Sequence, residues 1–476
     1  MRPSMLDRAV ATGILLVGVG VGVGVGIGAG AGEPGAPDDP SAVAGGLVGA
    51  AMVDGRAHHK LTYLTDRIGH RLSGSHALER AVAWAAAEFE RDGLDRVWTE
   101  KVRVPHWVRG EARARIVAPI ERDLPVLALG GSVATPPDGT TAEVIEVASF
   151  DQLEAAAGAV AGKLVLFNRA MEAGWNAESG YGSLAPLRVD GPSRAARLGA
   201  VGMLIRSLGT ANYRLPHTGA LAYDESVPRI PAAALAAEDA ELLHRLIGSG
   251  ETVRVRLDLG CSTLDDAESA NVLAEIPGRE RPDEIVLIGA HLDSWDVGHG
   301  AHDDGAGCAI VMETMRLLRR LAAPPRRTVR AVLFTNEENG LRGGLDYAER
   351  HGAERHVAAI ESDSGGFRPV GFGVTAGEGG VEMVREIARR LATIGAADVV
   401  SGGGGADIGP LRKRHGVPVI GLRQDGERYF DYHHTEADTL DKVDPGDLDR
   451  NVAALAVVTY LLAEQDAVLP RLQPEP

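Results

Sequence analysis

Between about residue 270 and residue 465 the chain repeats one pattern: an apolar run short enough for a strand, then a stretch with apolar residues at helical spacing. Strands that alternate with helices pair in parallel, because each crossover passes over a face of the sheet, and both faces end up covered. The implied fold class is α/β, with a mixed, largely parallel sheet covered by helices. Each apolar run also ends in polar residues. "EIVLIGA" leads into His291, "TVRAVLFT" into Asn336-Glu337-Glu338, "VAAIESD" closes on Asp363, and "VPVIGL" precedes a loop that reaches His433 and His434. In open α/β sheets the ligand crevice lies outside the carboxyl ends of the strands. Clusters far apart in sequence therefore become neighbours on one rim.

The stretch "HLDSWDVGHGAHDDGAG" adds a doubled aspartate, Asp303 and Asp304, to that rim. Histidine and carboxylate together suit zinc at about 2.0–2.2 Å, and one carboxylate can span two ions roughly 3.5–4 Å apart. Asp293, two residues after His291, has the spacing to accept the other imidazole N–H and fix its tautomer. Gly298, Gly300, Gly305 and Gly307 allow a tight turn beneath the ions. Any one cluster alone reads as a solvated loop; four at strand ends read as one site. His217 and His244 lie outside every such cluster and read as structural or surface residues. Cys308 falls in a helical pattern as a buried thiol. No Gly-x-Ser-x-Gly elbow suggests a covalent route.

The rest of the chain divides by texture. Arg2 and Arg8 precede an uncharged segment that ends at Ala29-Gly30-Ala31, a small-x-small pattern, so residues 1–31 read as a signal peptide and the protein as secreted or extracytoplasmic. An uncleaved membrane anchor is the alternative. Residues 32–52 have linker composition. Residues 53–117 carry a packing helix in "SHALERAVAWAAAEFERDGL", with Gly93 as its stop. Residues 118–260 break into short apolar runs between Gly and Pro, a strand-rich insert. Residues 261–465 carry the alternating pattern, and 466–476 form a C-terminal tail. A formal charge of −17 and a pI near 5.4 exclude a nucleic-acid surface, which needs clustered Lys and Arg. Two cysteines build no disulfide framework.

"GAHLDSWDVGHGAHDDGAG", "LFTNEENGLRGG", "IESDSGGFRPVGF" and "YHHTEADTLDKVDP" resemble, in order and spacing, the di-zinc peptidases of metallopeptidase family 28. "LTDRIGHRLSGSHALERA" and "VPRIPAAAL" extend the resemblance to nearly the whole of residues 53–465, the insert being similar to a protease-associated domain. The resemblance implies two Zn²⁺ per chain. His291 and Asp363 would hold one, Glu338 and His434 the other, with Asp303 as the bridge. It assigns Glu337 as general base and Asp293 as the orienting residue, and it implies a homodimer. Many relatives have a tyrosine immediately before the second histidine; His433 stands there, so Tyr429, Tyr432 and His433 all remain candidates for the oxyanion donor. His299 and His302 receive no role.

The expected function is an exported zinc-dependent exopeptidase of dipeptidase, carboxypeptidase or aminopeptidase type. It would act on dipeptides or short peptides, with Glu337 taking a proton from water and returning it to the leaving amine. A di-metal hydrolase of another amide, such as an N-acyl amino acid, is one alternative. An inactive binding module is the other, and it would be expected to lack a ligand or the base.

Overall fold

The computed structural model describes residues 39–172, 179–211 and 213–475. Its main sheet has eight strands in the order Arg96–Val108, Ser262–Ile276, Arg327–Phe334, Arg281–His291, Arg355–Glu361, Val419–Gln424, Pro369–Thr375 and Asp398–Ser401. The strands from Arg327–Phe334 to Val419–Gln424 run parallel to one another. Those next to them on either side are antiparallel. Burial on both faces explains why the middle strands are continuous apolar runs rather than alternating ones. In Arg281–His291, Val286, Ile288 and Ala290 join the core under the helices Ala306–Arg319 and Pro445–Glu464, while Leu287 joins the opposite core with Tyr347 and Leu411. Register pairs His291 with Phe334 and Gly289 with Glu361, so three strands finish at one edge.

A second sheet takes all its strands from between Ala112 and Leu259. It begins at Ala112, ahead of the boundary expected at 118, because the strand Ala112–Ala118 pairs with Arg254–Leu259 and not with the main sheet. The helix His76–Arg91 is capped by Ser75, whose side chain accepts from the Leu78 N–H. It buries Leu78, Val82, Ala85 and Phe89 on one face and ends before Gly93, at φ +78°.

One expectation is corrected. Residues 32–52 read as a linker, but Pro40–Asp54 is a helix with Ala44, Leu47 and Ala51 buried against Pro445–Glu464. Glycines lower helix propensity, yet small side chains let two helices approach closely, and tertiary burial decides the outcome. The expected signal peptide lies outside the described residues. Among those described, no helix is long and apolar enough to cross a membrane.

The helix Ala57–Tyr63 is tied to Ala306–Arg319 by a buried ion pair, Lys60 Nζ donating to Glu313 Oε2 at 3.0 Å. Arg316 also binds Glu313. Lys60→Met leaves the fully buried Glu313 carboxylate with Arg316 and the Arg56 N–H, so the expected loss is at the low end of roughly 3–5 kcal/mol. Urea unfolding of the two proteins measures it.

Candidate metal centre

Asp303 sits between two imidazoles. Its Oδ1 is 3.2 Å from His291 Nε2 and its Oδ2 is 3.3 Å from His434 Nε2. Each histidine meets a second carboxylate: Asp363 Oδ1 lies 3.4 Å from His291 Nε2, and Glu338 Oε2 lies 3.1 Å from His434 Nε2. The five residues expected as ligands thus converge as two histidine–carboxylate pairs about one shared carboxylate. Histidine and carboxylate donors so arranged suit cations of the zinc type.

Local structure explains how each side chain gets there. His291 ends a strand, and its Nδ1 donates to the Asp293 carbonyl oxygen at 3.0 Å, which fixes Nε2 as the free ring atom. The Asp293 carboxylate does something else than expected. Its Oδ1 is 3.8 Å from His291 Nδ1, and its oxygens accept the N–H groups of Glu337 at 3.0 Å and Glu338 at 3.3 Å. Asn336, at φ +64°, turns the chain after Phe334 so that these two glutamates follow on the rim. Asp304 brings a carboxylate oxygen within 4.8 Å of ligand atoms of His291 and Asp363, and its oxygens also accept from the N–H of His291 at 3.1 Å and of Gly307 at 3.0 Å. A Cβ at Gly307 would lie 2.1 Å from the Ser362 carbonyl oxygen, so only glycine allows this approach.

Further groups hold these side chains in place. The Arg71 guanidinium is fully buried and donates to the carbonyls of Gly69, Leu292, His299 and Gly300, holding the loop that leads to Asp303. Asp438 accepts the N–H of His302 at 2.7 Å and of Asp303 at 3.1 Å. His434 Nδ1 lies 3.2 Å from the Thr218 carbonyl oxygen, which belongs to the second sheet's lobe.

The histidines and carboxylates of the site shift one another's pKa values. Burial opposes protonation of His291, but hydrogen bonds to Asp303 and Asp363 outweigh it and hold its pKa well above the usual range. His434 behaves alike: burial opposes, and the Glu338 charge raises. Burial works against the Asp303 anion as well, yet the bonds from both imidazoles hold its pKa well below the usual value. Burial pushes Glu338 up to about 7 and Glu337 well above the ordinary carboxylate range.

A cavity of about 650 Å³ opens over these groups, lined by Asp303, Glu337, Glu338, Asp363, Tyr429 and His433 and, from the second lobe, Tyr181 and Arg188. This is within the usual range for a small-molecule site. His433 stacks on His434 with ring centroids 3.5 Å apart and brings Nε2 to 3.6 Å from Asp303 Oδ2. Tyr432 faces elsewhere, its hydroxyl held by Arg428. Tyr429 and His433 are therefore the candidates that line the cavity. His302 is a packing residue, stacked on Phe367 at 4.1 Å, with Nδ1 accepting from the Gly366 N–H. The Cys308 thiol is buried and donates to the His291 carbonyl oxygen.

Residues 271–459 match the model of peptidase family M28, and similarity to its members extends over most of the chain. The protein belongs to that family. It is 40% identical to carboxypeptidase Q of Mus musculus over 418 residues, 87% of each chain, and 38% identical to that of Homo sapiens over the same share. The crystal structure of a peptidase M28 precursor from Shewanella amazonensis SB2B superposes with a TM-score of 0.88 at 40% identity, covering 92% of this chain and 99% of that one. An aminopeptidase from Aneurinibacillus sp. strain AM-1 shares the fold, with a TM-score of 0.64 at 20% identity, covering 90% of this chain and 99% of that one.

The surroundings of His291, His434 and Glu338 all raise their pKa values, so protons compete with a divalent cation for these groups. Binding of such a cation would displace protons from them. Titrating zinc into metal-free protein should release protons, and affinity should fall as pH drops through the raised histidine range, above where a free imidazole titrates. Calorimetry in buffers of different ionisation enthalpy counts the protons; uptake without release would contradict this electrostatic picture.

Proposed function

We propose that the protein is an exported zinc-dependent exopeptidase that hydrolyses dipeptides or short peptides from the carboxyl end. The observation that carries the reading is Asp303 shared between two histidine–carboxylate pairs, with Glu337 on the same cavity wall. His291 and Asp363 would hold one ion, Glu338 and His434 the other, and Asp303 both. When bound, the ions supply an acidified water and a polarised carbonyl. Glu337, its N–H held by Asp293, takes the proton and returns it to the leaving amine. The full set of ligands and base argues against an inactive binding module. The apolar N-terminal segment supports export.

Arg188 supports the choice of terminus. It lines the cavity, is 7% exposed, and donates to the Tyr181 hydroxyl at 2.8 Å and to the carbonyls of Thr218 and Ala220. Among the described residues no carboxylate forms a salt bridge with it. A buried guanidinium without an anion is suited to the free carboxylate of a substrate. N-blocked dipeptides with a free carboxylate should therefore be cleaved, and C-amidated ones poorly. Arg188→Gln should raise KM for the free acids about 10–100-fold, the worth of a charge-assisted bond, and leave the amides unchanged. Good turnover of amidated peptides with none of N-blocked ones would assign aminopeptidase polarity instead.

Base and ligand separate by mutation. Glu337→Gln should cut turnover by about 10²–10⁴ with both metals retained. Glu338→Gln should lower the zinc content, since a neutral amide is the weaker ligand. Elemental analysis of both variants checks the assignment, and equal metal loss would reject it.

A further inference from the structure

The chain passes from the main sheet to the second one between Val108 and Ala112, and Arg109 sits at that crossing. It is 7% exposed. Its Nε lies 3.0 Å from both carboxylate oxygens of Asp296, Nη1 donates to Thr218 Oγ1 at 2.9 Å and to the Ala128 carbonyl oxygen, and Nη2 donates to Asp296 Oδ1. The two side chains so clamped lead to two ligands of one proposed ion. On one side, the Thr218 N–H donates to the His434 carbonyl oxygen at 2.9 Å, and His434 Nδ1 donates to the Thr218 carbonyl oxygen at 3.2 Å, which leaves Nε2 for a cation. His434 has φ +60°, a conformation that non-glycine residues keep only where their surroundings impose it. On the other side, next to Asp296, the Trp295 N–H donates to Glu338 Oε1 at 3.2 Å. The Trp295 ring lies between the guanidinium, 5.7 Å from its centroid, and the His434 ring, which it meets edge-on with centroids 5.7 Å apart. It is seated against the second lobe at Gly130, where a Cβ would come within 2.0 Å of it.

We propose that Arg109 is a positioning residue for the metal centre: its planar fork fixes Asp296 and Thr218 to one another, and so keeps Glu338 and His434 together for one ion. The proposal rests on the reading of Glu338 and His434 as zinc ligands. Arginine suits the task, because a guanidinium holds several acceptors in one plane while an ammonium meets them as a point charge. The other ion is braced differently. His291 is held by the Asp293 carbonyl oxygen and the Asp304 carboxylate, and among the described residues neither it nor Asp363 forms a hydrogen bond with Arg109, Asp296 or Thr218. A change at Arg109 should therefore weaken one zinc and spare the other, whereas a merely structural residue would lower stability without choosing between the two.

The test is zinc competition against a chromophoric chelator, with elemental analysis, on the full chain as wild type, Arg109→Lys and Thr218→Val. One of two zinc affinities should fall about 10–100-fold in Arg109→Lys, as expected when the support that orients a ligand is lost. Thr218→Val removes the hydroxyl that Arg109 binds but leaves the backbone bonds to His434 and the Arg109–Asp296 pair in place, so it reads the clamp even if Arg109→Lys does not fold. It should weaken the same single site, by less. Added to Glu338→Gln, which already weakens that site, Arg109→Lys should leave the remaining affinity unchanged and so identify the ion. Two unaltered affinities in either single variant, parallel weakening of both sites, or a fall in the remaining affinity of the double variant would overturn the proposal. A wild-type chain that takes up no zinc would reject the metal centre itself, an outcome distinct from a wild type with two zincs and an indifferent Arg109.

Discussion

The structure depends on one buried carboxylate, Asp303, held between two imidazoles that come from opposite ends of a long sequence interval. Hydrogen bonds from the two imidazoles lower the Asp303 pKa despite its burial. The surrounding carboxylates have no such relief, and burial raises Glu337, Glu338 and Asp363. So dense a set of like charges is costly in a low-dielectric interior unless something positive joins it. The main sheet, the Asp293 and Asp438 braces and the Arg71 clamp all keep that set from relaxing apart.

What could be read in the sequence follows from where the information lies. His291, Glu337, Glu338 and Asp363 sit at or just beyond the ends of apolar runs, so strand periodicity and the crevice rule were enough to gather them. The motif order carried the family. The supports were not legible, for a physical reason: Arg71 works through four carbonyl oxygens, and His434 leans on the carbonyl of Thr218, 216 residues away. A backbone acceptor has no side-chain signature. The Pro40–Asp54 helix was hidden by its glycines and alanines, which resemble a linker until a partner helix is present. Asp293 shows a finer limit, since spacing identified the residue but not which of its oxygens meets the imidazole and which meet the backbone of Glu337 and Glu338.

The two sheets divide the labour at the cavity. The parallel strands of the main sheet bring most of the proposed ligands to a rim that packing makes rigid. The second lobe contributes Tyr181 and Arg188 to the opposite wall and the Thr218 peptide behind His434. Its apolar core also takes in Tyr429 and Phe430, which precede the histidine pair. Neither lobe alone encloses the cavity. Any change in the seam between them would be felt both by a bound substrate and by the histidine beneath it.

The packing of Pro40–Asp54 against Pro445–Glu464 bears on biosynthesis. At the roughly 5–20 residues per second of translation, the earlier helix emerges tens of seconds before the one that covers it. Through that interval the helix Ala306–Arg319 and the face of the main sheet also lack the element on which they close. The face covered by Pro445–Glu464 is completed only when that helix has been made. A translocation channel accepts a chain that has not yet closed its core, so late arrival of this helix suits the export proposed above.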